Sequence, residues 1–326
     1  MLTAGSAQSD GRATCDGASE PDGPRWRLNA FGLGIEADFP IAGATDQPVG
    51  AAADTGLTLR RASRAELEPL AAQARMLRYL QTFDGCHYAM LEGGSGDVLF
   101  DYGPRALFHL TDDGLLLRCA AADEPDRSWE RVLLDTVLWT ASLLRGFELM
   151  HASAVATTAG VVAFAARSGG GKSSLAAEFI RRGGRLFCDD IIALDDAHSD
   201  VVAHPGPPLM NLPRTESLEH AEVIARFGDE QWVRVRSASH SVQRIAAVVL
   251  IDRRKAAPTC CSAIDATSLT LLPHAIGFPH LDARARRRFE LFGALAATAR
   301  VVQLSADPDV PTAELADLVE SRIGLR

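Results

Sequence analysis

The sequence predicts an α/β protein with a smaller β-rich domain on its N-terminal side. Its 326 residues are enough for about two domains. From Glu148 onward, apolar strand-like runs alternate with helix-like segments, which is typical of an α/β domain and indicates one at 127–326. Before it, residues 25–122 contain short strand-like runs separated by turn signals such as Pro40 and Gly56, so we expect a β-rich domain there.

Composition and charge exclude several classes of protein. Hydrophobic residues make up 47% of the chain and charged residues 23%, as in ordinary globular proteins. The formal net charge of −9 argues against nucleic acid as a partner, because phosphate contacts need a surplus of basic residues. No apolar run approaches the length of about 18 residues that a membrane span needs, so no membrane partner is expected.

Residues 1–24 and the cysteines indicate the compartment. The first 24 residues are rich in Gly, Ala, Ser and Asp and contain no apolar stretch, so we interpret them as a disordered leader rather than a secretory signal. The six cysteines form no CxxC pair and no metal-binding spacing, which favours reduced thiols and argues against zinc. A cytoplasmic protein is therefore expected.

Hydrophobic periodicity and turn signals predict the elements in order. In the β-rich domain, one helix is expected over Ala65–Gln81. A helix over Trp129–Arg145, ended by Gly146, follows an acidic linker that contains Pro125. The α/β domain is then expected to contain strands at Leu149–Ala156, Val161–Ala166, Arg185–Asp190 continued by Ile191–Leu194, Ile245–Ile251 and Val301–Leu304, and helices at Lys172–Arg182, Asp282–Ala297 and Thr312–Ile323.

The strongest chemical signal is a glycine-rich loop between a strand and a helix. Residues 166–173 read Ala-Arg-Ser-Gly-Gly-Gly-Lys-Ser and approximate the Walker A pattern GxxxxGK[ST], with Ala166 in place of the first glycine. Glycines let backbone N–H groups turn inward around phosphate oxygens, and the N-terminus of the following helix adds partial positive charge. The alternative is a plain Gly/Ser connector, which the flanking strand and amphipathic helix disfavour.

This loop predicts ATP and Mg²⁺ as cofactors. Lys172 is expected to neutralise the β- and γ-phosphates, and the Ser173 hydroxyl to complete the Mg²⁺ shell. Lys172 is one of only two lysines among 33 basic residues, and its compact ammonium suits a tight concavity better than the wide fork of arginine. The full set of predicted nucleotide-binding residues is Ser168, Gly169, Gly170, Gly171, Lys172, Ser173 and Ser174.

Two adjacent carboxylates, Asp189 and Asp190, end the strand that follows the loop helix. One carboxylate can hold Mg²⁺ while the other accepts a proton from an attacking hydroxyl. A polar turn is the alternative, but the apolar residues on both sides disfavour it, since unpaired charge inside a strand is costly. His151 begins the strand before the loop. Taken alone it is more often structural, whereas next to the aspartates it could orient one of them.

The string from His151-Ala-Ser-Ala-Val155 through the loop to Arg181–Asp190 resembles the catalytic core of HPr kinase/phosphorylase. Members of that family carry a histidine before the loop, a helix that ends in an Arg-Gly-x-Arg-Leu-like turn, and tandem aspartates. The resemblance is tight over 151–190 and loose to Arg326. It implies a P-loop kinase core of the HPr kinase/phosphoenolpyruvate carboxykinase type, which phosphorylates a serine hydroxyl with ATP and Mg²⁺.

The same resemblance implies roles for individual residues. The catalytic residues would be Lys172, Asp189, Asp190 and His151. Asp189 is expected to be the base, and Asp190 is expected to bind Mg²⁺ together with Ser173. His151 would be an active-site partner of the aspartates.

Two further segments are similar to the HPr-kinase-related enzymes found with lasso-peptide biosynthesis genes. Residues 31–35 read Phe-Gly-Leu-Gly-Ile, and residues 205–209 read Pro-Gly-Pro-Pro-Leu. The chain has no stretch that matches the Glu-Ile-Arg-Gly-Leu-Gly loop of HPr kinase and no similar regulatory domain, so HPr is not implied as the substrate. The resemblance implies instead a serine of a ribosomal, lasso-type precursor peptide as the acceptor.

Several alternatives stay open from the sequence. The acceptor could be another small protein or a small-molecule hydroxyl, and a P-loop ATPase or nucleotide switch without phosphotransfer is a third class. A homo-oligomer is compatible with the sequence. The β-rich domain serves either substrate recognition or packing, and 205–213 is either a rigid surface turn or part of the acceptor channel. Arg284, Arg286, Arg287 and Arg288 form either a solvated face or an anchor for an acidic peptide.

Overall fold

A computed structural model describes residues 25–42, 56–81, 87–122, 127–197, 200–277 and 284–324. The predicted leader at 1–24 and most of the predicted acidic linker lie outside these ranges. The described chain is a mixed α/β structure, rich in sheet and with few helices, and the predicted fold class is confirmed at that level. No helix within these ranges combines the length and the apolar surface that crossing a bilayer requires.

The N-terminal part is a sheet of eight strands within the described residues. The strands are β1 (Trp26–Ala30), β2 (Leu33–Ala37), β3 (Gly56–Arg61), β4 (Arg75–Gln81), β5 (His87–Glu92), β6 (Val98–Asp101), β7 (Ala106–Leu110) and β8 (Leu116–Ala121). Their order across the sheet is β1-β2-β3-β8-β7-β6-β5-β4. Phe100 and Phe108 are fully buried in the core that this sheet shares with the helix after it.

The helix predicted over Ala65–Gln81 is only partly a helix. Helix α1 covers Arg64–Gln73, and the backbone N–H of Ser63 donates to the carboxylate of Glu66 at its start. Residues Arg75–Gln81 form β4 and pair antiparallel with β5. The prediction was wrong for this second half, because pairing with a distant strand satisfies its backbone groups and the local pattern does not reveal such a partner.

A single linking helix joins the two parts of the molecule. It consists of α2 (Ser128–Val132), a π-helical turn (Leu133–Val137) and α3 (Leu138–Leu144), and it occupies the range predicted as Trp129–Arg145. Its apolar side, with Leu133 at the centre, packs in the same core as the N-terminal sheet. The π turn was not predicted, and such turns are frequent at functional sites.

The second part contains thirteen strands among the described residues. They are β9 (Glu148–His151), β10 (Ser153–Thr157), β11 (Gly160–Ala165), β12 (Arg185–Cys188), β13 (Ile191–Ala197), β14 (Asp200–His204), β15 (Leu209–Pro213), β16 (Glu222–Phe227), β17 (Glu230–Arg234), β18 (Gln243–Arg253), β19 (Cys260–Ala263), β20 (Ala275–Ile276) and β21 (Arg300–Ala306). Ten of them form one sheet along the path β12-β10-β11-β18-β14-β13-β9-β20, with β21 beside β18 and β19 beside β21. The other three form a small sheet in the order β15-β17-β16.

Helices cover both faces of the central strands. They are α4 (Lys172–Arg181), α5 (Ser268–Leu271) with a following 3₁₀ turn (Leu272–His274), α6 (Ala285–Thr298) and α7 (Thr312–Ile323). In β11, Val162 and Phe164 lie in a core shared with α4 and α7, whereas Val161 lies in a core shared with α6, as the two-residue period of a strand requires. The predicted helices match α4, α7 and the described length of α6, since 278–283 lies outside the described residues.

Two predicted strands are interrupted at the centre of this part. The strand expected over 149–156 is divided at Ala152 into β9 and β10. The strand expected to run on through 185–194 is divided at Asp189-Asp190 into β12 and β13. β9 pairs with β13, whereas β10 pairs with β12. The chain therefore crosses from one region of the sheet to another at Ala152 and again at Asp189-Asp190, and the two crossings lie side by side. The prediction of continuous strands was wrong, because the two halves of each segment pair with different strands, and the local sequence pattern does not reveal those partners.

One hydrogen bond joins the two crossings. The backbone N–H of Ala152 donates to the carbonyl oxygen of Asp190 at 2.9 Å. Asp190 has a φ of 70°, a left-handed conformation that residues other than glycine rarely adopt. This conformation redirects the chain and leaves the tandem carboxylates outside the strand pairing.

Gly206 packs directly behind the interruption. Its N–H donates to the carbonyl oxygen of Phe187 at 2.9 Å. A Cβ at position 206 would lie 2.9 Å from the Cβ of Cys188, closer than real Cβ atoms approach. The residue before the tandem aspartates is therefore held in place by a close backbone approach that only glycine permits.

We expect Gly206→Ala to lower the free energy of unfolding by about 1–3 kcal/mol, because Cys188 is fixed in β12 and overpacking shifts the backbone. Gly94→Ala is the matched control, since no atom lies within 4 Å of a Cβ built there. Urea unfolding followed by circular dichroism measures both variants. Equal losses of stability in the two variants would contradict the close approach.

Candidate functional site

A cleft of about 610 Å³ lies between the linking helix and the glycine-rich loop. All seven predicted nucleotide-binding residues and both tandem aspartates line it. The remaining wall consists of Asn211, Leu212, Pro213 and Glu230 from the small sheet, Arg131, Val132, Asp135 and Thr136 from the linking helix, and Tyr88 from β5. The structure thus brings the predicted residues together and adds residues that the sequence analysis did not select.

Three glycines determine the shape of the loop. Gly169 and Gly171 have φ values of 73° and 89°, in the left-handed region. A Cβ on Gly170 would lie 2.6 Å from the Cβ of Ala166 and 2.9 Å from the carbonyl oxygen of Arg167. Two of these positions need glycine for conformation and one needs it for space. The loop ends at the N-terminus of α4, which therefore opens onto the cleft.

Lys172 and Ser173, at the start of α4, both contact the tandem aspartates. The ammonium of Lys172 lies 3.8 Å from Oδ1 of Asp190, and the lysine side chain is only 8% exposed. The Ser173 hydroxyl donates to Oδ1 of Asp189 at 2.8 Å. The cation and the hydroxyl expected on a nucleotide are therefore in direct contact with the two carboxylates.

Asp189 is held by three hydrogen-bond donors. The hydroxyls of Ser153 and Ser173 donate to its Oδ1 at 2.6 and 2.8 Å, and the backbone N–H of Asn211 donates to its Oδ2 at 2.8 Å. Burial raises the pKa of this carboxyl and the charge of Asp190 raises it further, while the three donors oppose both effects. Asp189 is thus fixed in orientation, and both of its oxygens are already occupied.

Asp190 is held mainly by a histidine. Nε2 of His151 donates to its Oδ1 at 2.9 Å. Burial alone would raise the pKa of the Asp190 carboxyl, but the hydrogen bond and charge of His151, followed by Lys172 and Arg131, bring it below its ordinary value. The Asp190 side chain is 43% exposed, so it faces the cleft while it stays ionised. The histidine that the sequence left undecided therefore contacts the aspartate pair.

Asp135, on the π turn, is a third carboxylate in the cleft. Burial, followed by the charge of Asp190, raises its pKa to about 7. The sequence analysis missed this residue because the surrounding helix was assigned to the core by its apolar stripe. The sequence feature that could have revealed it is the Asp-Thr pair inside the otherwise apolar run at 132–138.

Arg131 and Asn211 were also missed. The Arg131 side chain is 9% exposed, it pairs with Glu230 at 3.1 Å, and its guanidinium lies 5.5 Å from the ring centre of Phe227. Among the described residues, Oδ1 of Asn211 is a buried atom without a hydrogen-bond partner. These contacts join residues far apart in the chain, so no local sequence pattern reveals them.

The segments 31–35 and 205–209 meet at one end of the cleft. The backbone N–H of Phe31 donates to the carbonyl oxygen of Pro205 at 2.8 Å. Phe31 and Pro207 line a smaller cavity that the tandem aspartates also line. Residues 205–210 are buried, so the interpretation of this segment as a surface turn was wrong.

The basic cluster near the start of α6 is mostly engaged within the fold. Arg284 and Arg288 form ion pairs with the fully buried Glu148 at 3.0 and 2.8 Å. Arg287 pairs with carboxylates at the end of β13, and Arg286 is 90% exposed. The interpretation as a solvated face was wrong for Arg284 and Arg288, and their ion pairs argue against a peptide anchor at those two positions.

The residues present fit a nucleotide bound with a divalent cation. Mg²⁺ prefers oxygen ligands, and Ser173 and Asp189 offer a hydroxyl and a carboxylate side by side. Across the described ranges, no group of three or more His, Cys, Asp and Glu side chains is arranged to hold a metal ion. Ser174 lines the same cleft, but its hydroxyl donates to Glu216 at 2.6 Å.

Comparisons with known proteins give a loose structural similarity. No family model matches the chain, and no curated protein matches it. Among solved structures, the chain is similar to the Hpr(Ser) kinase/phosphatase from Coxiella burnetii, with 14% sequence identity and a TM-score of 0.31. The match covers 53% of this chain and 94% of that one. The function proposed below is therefore supported by the geometry of the cleft rather than by this similarity.

The raised pKa of Asp135 has a measurable consequence for stability. The folded state keeps this proton up to about pH 7, whereas an unfolded Asp loses it near its ordinary value of 3.8, so the stability due to protonation is lost as the pH rises through 7. Asp135→Asn cannot titrate. We therefore expect Tm of the variant minus Tm of the wild type to be larger at pH 8 than at pH 5.

Thermal unfolding in nucleotide-free buffer checks this expectation. Asp112→Asn serves as the control, because Asp112 is exposed and lies outside the cleft. A Tm difference for Asp135→Asn that is the same at both pH values would show that the proton is not held there.

Proposed function

We propose that the protein is an ATP- and Mg²⁺-dependent serine kinase. The observation that carries this proposal is the contact between the glycine-rich loop and the tandem aspartates, through Ser173 to Asp189 at 2.8 Å and Lys172 to Asp190 at 3.8 Å. A phosphate-binding loop alone serves many ATPases. A loop in contact with an ionised carboxylate that faces open space supplies, in addition, a place for a hydroxyl to lose its proton.

The nucleotide is held by the loop and by α4. Backbone N–H groups at 169–171 and the N-terminus of α4 surround the phosphate chain, and Lys172 neutralises its distal charge. Ser173 and Asp189 would hold Mg²⁺, which would supply positive charge to compensate the charge that develops on the phosphate oxygens. The Lys172 side chain is nearly buried, so its charge acts in a site with little water, where it interacts more strongly.

The hydrogen bonds favour one order of roles within the aspartate pair. We assign Asp189 and Ser173 to the cation, since their carboxylate and hydroxyl oxygens lie side by side. Both oxygens of Asp189 already accept hydrogen bonds, so it is less free than Asp190 to take the proton of an acceptor hydroxyl. We assign Asp190 to the acceptor hydroxyl, since it is ionised and faces the cleft. The order implied by the family resemblance, with Asp189 as base and Asp190 on Mg²⁺, stays a prediction that the experiment below separates from this one.

In the transfer step, the acceptor oxygen bonds to the γ-phosphorus, and the bond between that phosphorus and the bridging oxygen breaks to leave ADP. The hydroxyl proton passes to a carboxylate oxygen of Asp190. The N–H of His151 donates to Oδ1 of Asp190 and keeps that carboxylate oriented and ionised until the acceptor arrives. His151 acts here through Asp190 and is a positioning residue.

For the acceptor, we propose a serine of a ribosomal, lasso-type precursor peptide. The support is the similarity of 31–35 and 205–209 to the kinases found with lasso-peptide genes, together with the position of both segments beside the aspartates. Another protein or a small-molecule hydroxyl is the alternative acceptor. ATP hydrolysis without transfer is the alternative outcome of the first test.

The first test is incubation of the protein with labelled ATP, Mg²⁺ and precursor peptides encoded beside its gene, followed by mapping of the phosphorylated residue. Lys172→Ala should reduce transfer by about 10²–10³-fold or more, because a preorganised charge is removed from the developing phosphate charge. Lys255→Ala is the matched control, since Lys255 is the other lysine and is exposed outside the cleft. Transfer by Lys172→Ala at the wild-type rate would refute the role of the loop.

The second test separates the two aspartates by the Mg²⁺ dependence of transfer. Asp189→Asn should raise the Mg²⁺ concentration needed for half-maximal rate. Asp190→Asn should lower the rate at saturating Mg²⁺ by about 10²–10⁴-fold without changing that concentration, because it removes the proton acceptor. If Asp190→Asn changes the Mg²⁺ requirement and Asp189→Asn lowers the rate at saturating Mg²⁺, the order implied by the resemblance is correct, with Asp189 as base. If ATP is hydrolysed without an acceptor and neither variant affects the rate, the protein is an ATPase.

A further inference from the structure

The cleft adjoins a smaller cavity of about 30 Å³. Five residues line both spaces, and we call the region that they share the passage: Arg131, Asp135, Asp189, Asp190 and Asn211. On one side of this passage lies the glycine-rich loop, and on the other side lie mainly apolar side chains, among them Phe31 and Trp232. The passage is therefore the place where the polar, phosphate-binding side of the cleft ends.

Arg131 brings a cation to this passage from the wall opposite the loop. It belongs to α2, and its side chain is only 9% exposed. Arg131 lines both spaces together with Asp190 and Asp135. Its charge contributes to the lowered pKa of the Asp190 carboxyl and opposes the rise in the pKa of the Asp135 carboxyl that burial and the charge of Asp190 cause. Phe227 lies against the guanidinium and limits its movement.

The position of the loop determines which phosphate reaches the passage. In the proposed function the loop and Lys172 would hold the phosphate chain at the N-terminus of α4. Ser173, at the start of this helix, contacts Asp189 at 2.8 Å, so the distal end of the chain would lie beside Asp189. Asp189 lines the passage together with Arg131. The terminal phosphate would thus be the part of the nucleotide nearest the guanidinium, and the planar fork of arginine suits two phosphate oxygens.

We propose that Arg131 binds the terminal phosphate of the nucleotide from the linking helix, opposite Lys172, and so distinguishes ATP from ADP. The proposal rests on the proposed function in so far as that function places ATP in the cleft. Arg131 contacts the transferred group itself and would be a catalytic residue of the kinase.

Glu230 is the competitor of the terminal phosphate for this arginine. Its carboxylate pairs with Arg131 at 3.1 Å, and its side chain is 50% exposed, so it can turn to solvent when a more highly charged phosphate arrives. Removal of its charge should therefore strengthen the binding of ATP relative to ADP. Loss of Arg131 should have the opposite effect and weaken the preference for ATP over ADP. The two substitutions therefore test the proposal independently.

The test measures the binding of β,γ-imido ATP and of ADP, each with Mg²⁺, by isothermal titration calorimetry. Arg131→Met should lower the affinity for the imido analogue by about tenfold or more and leave the affinity for ADP nearly unchanged. This is the effect expected for the loss of a charge-assisted hydrogen bond to phosphate. Glu230→Gln should raise the preference for the analogue over ADP about threefold. Arg226→Met, which removes an exposed positive charge from the same small sheet, should change neither affinity.

The outcomes separate this inference from the proposed function. If the wild type binds neither nucleotide, the proposed function fails first and the inference fails with it. If the wild type binds both but Arg131→Met keeps its preference for the analogue, the nucleotide site stands and the role of Arg131 is wrong. If Arg131→Met does not fold, Glu230→Gln decides, and an unchanged or reduced preference in that variant overturns the proposal.

Discussion

The hydrogen bond between the backbone N–H of Ala152 and the carbonyl oxygen of Asp190 is the constraint on which the cleft depends. It joins two places where strands stop pairing and the chain crosses between regions of one sheet. Without these crossings, Asp189 and Asp190 would lie in a continuous strand, with alternate side chains on opposite faces. The left-handed conformation of Asp190 redirects the chain at the crossing, and the close approach of Gly206 holds the residue before the aspartates in place. The result is two neighbouring carboxylates beside the loop.

The charges in the cleft follow from this arrangement. The three aspartates of the cleft have pKa values that move in different directions: those of Asp189 and Asp135 upward, that of Asp190 downward. The difference comes from the neighbours of each group, since Asp190 has His151 and Lys172, whereas Asp135 has the negative charge of Asp190 beside it. A bound nucleotide would bring phosphate charge to Lys172 and Arg131, and its cation would offset the carboxylates. The charges of the cleft therefore suit a ligand that combines negative phosphates with a bound cation.

The sequence predicted the parts of the site that depend on local chemistry. A glycine-rich loop at a helix N-terminus and two adjacent aspartates are visible in a single chain, because backbone conformation and residue type determine them. The interruptions at Ala152 and at the aspartates were missed, since strand pairing is decided by distant segments. Asp135 and Arg131 were missed because a helix with an apolar stripe was assigned to the core, and the pairing of Arg131 with Glu230 spans 99 residues. The linking helix contributes to the core with one side and to the cleft with the other.

The most direct measurement of the central claim is a crystal structure of the protein with Mg²⁺ and β,γ-imido ATP. The account predicts the phosphate chain in the loop at 169–171, the cation on Ser173 and Asp189, and Asp190 still hydrogen-bonded to His151. It also predicts the terminal phosphate at the passage lined by the tandem aspartates. A phosphate chain bound outside this cleft, or a strand that runs unbroken through Asp189-Asp190 when the nucleotide is bound, would contradict the account.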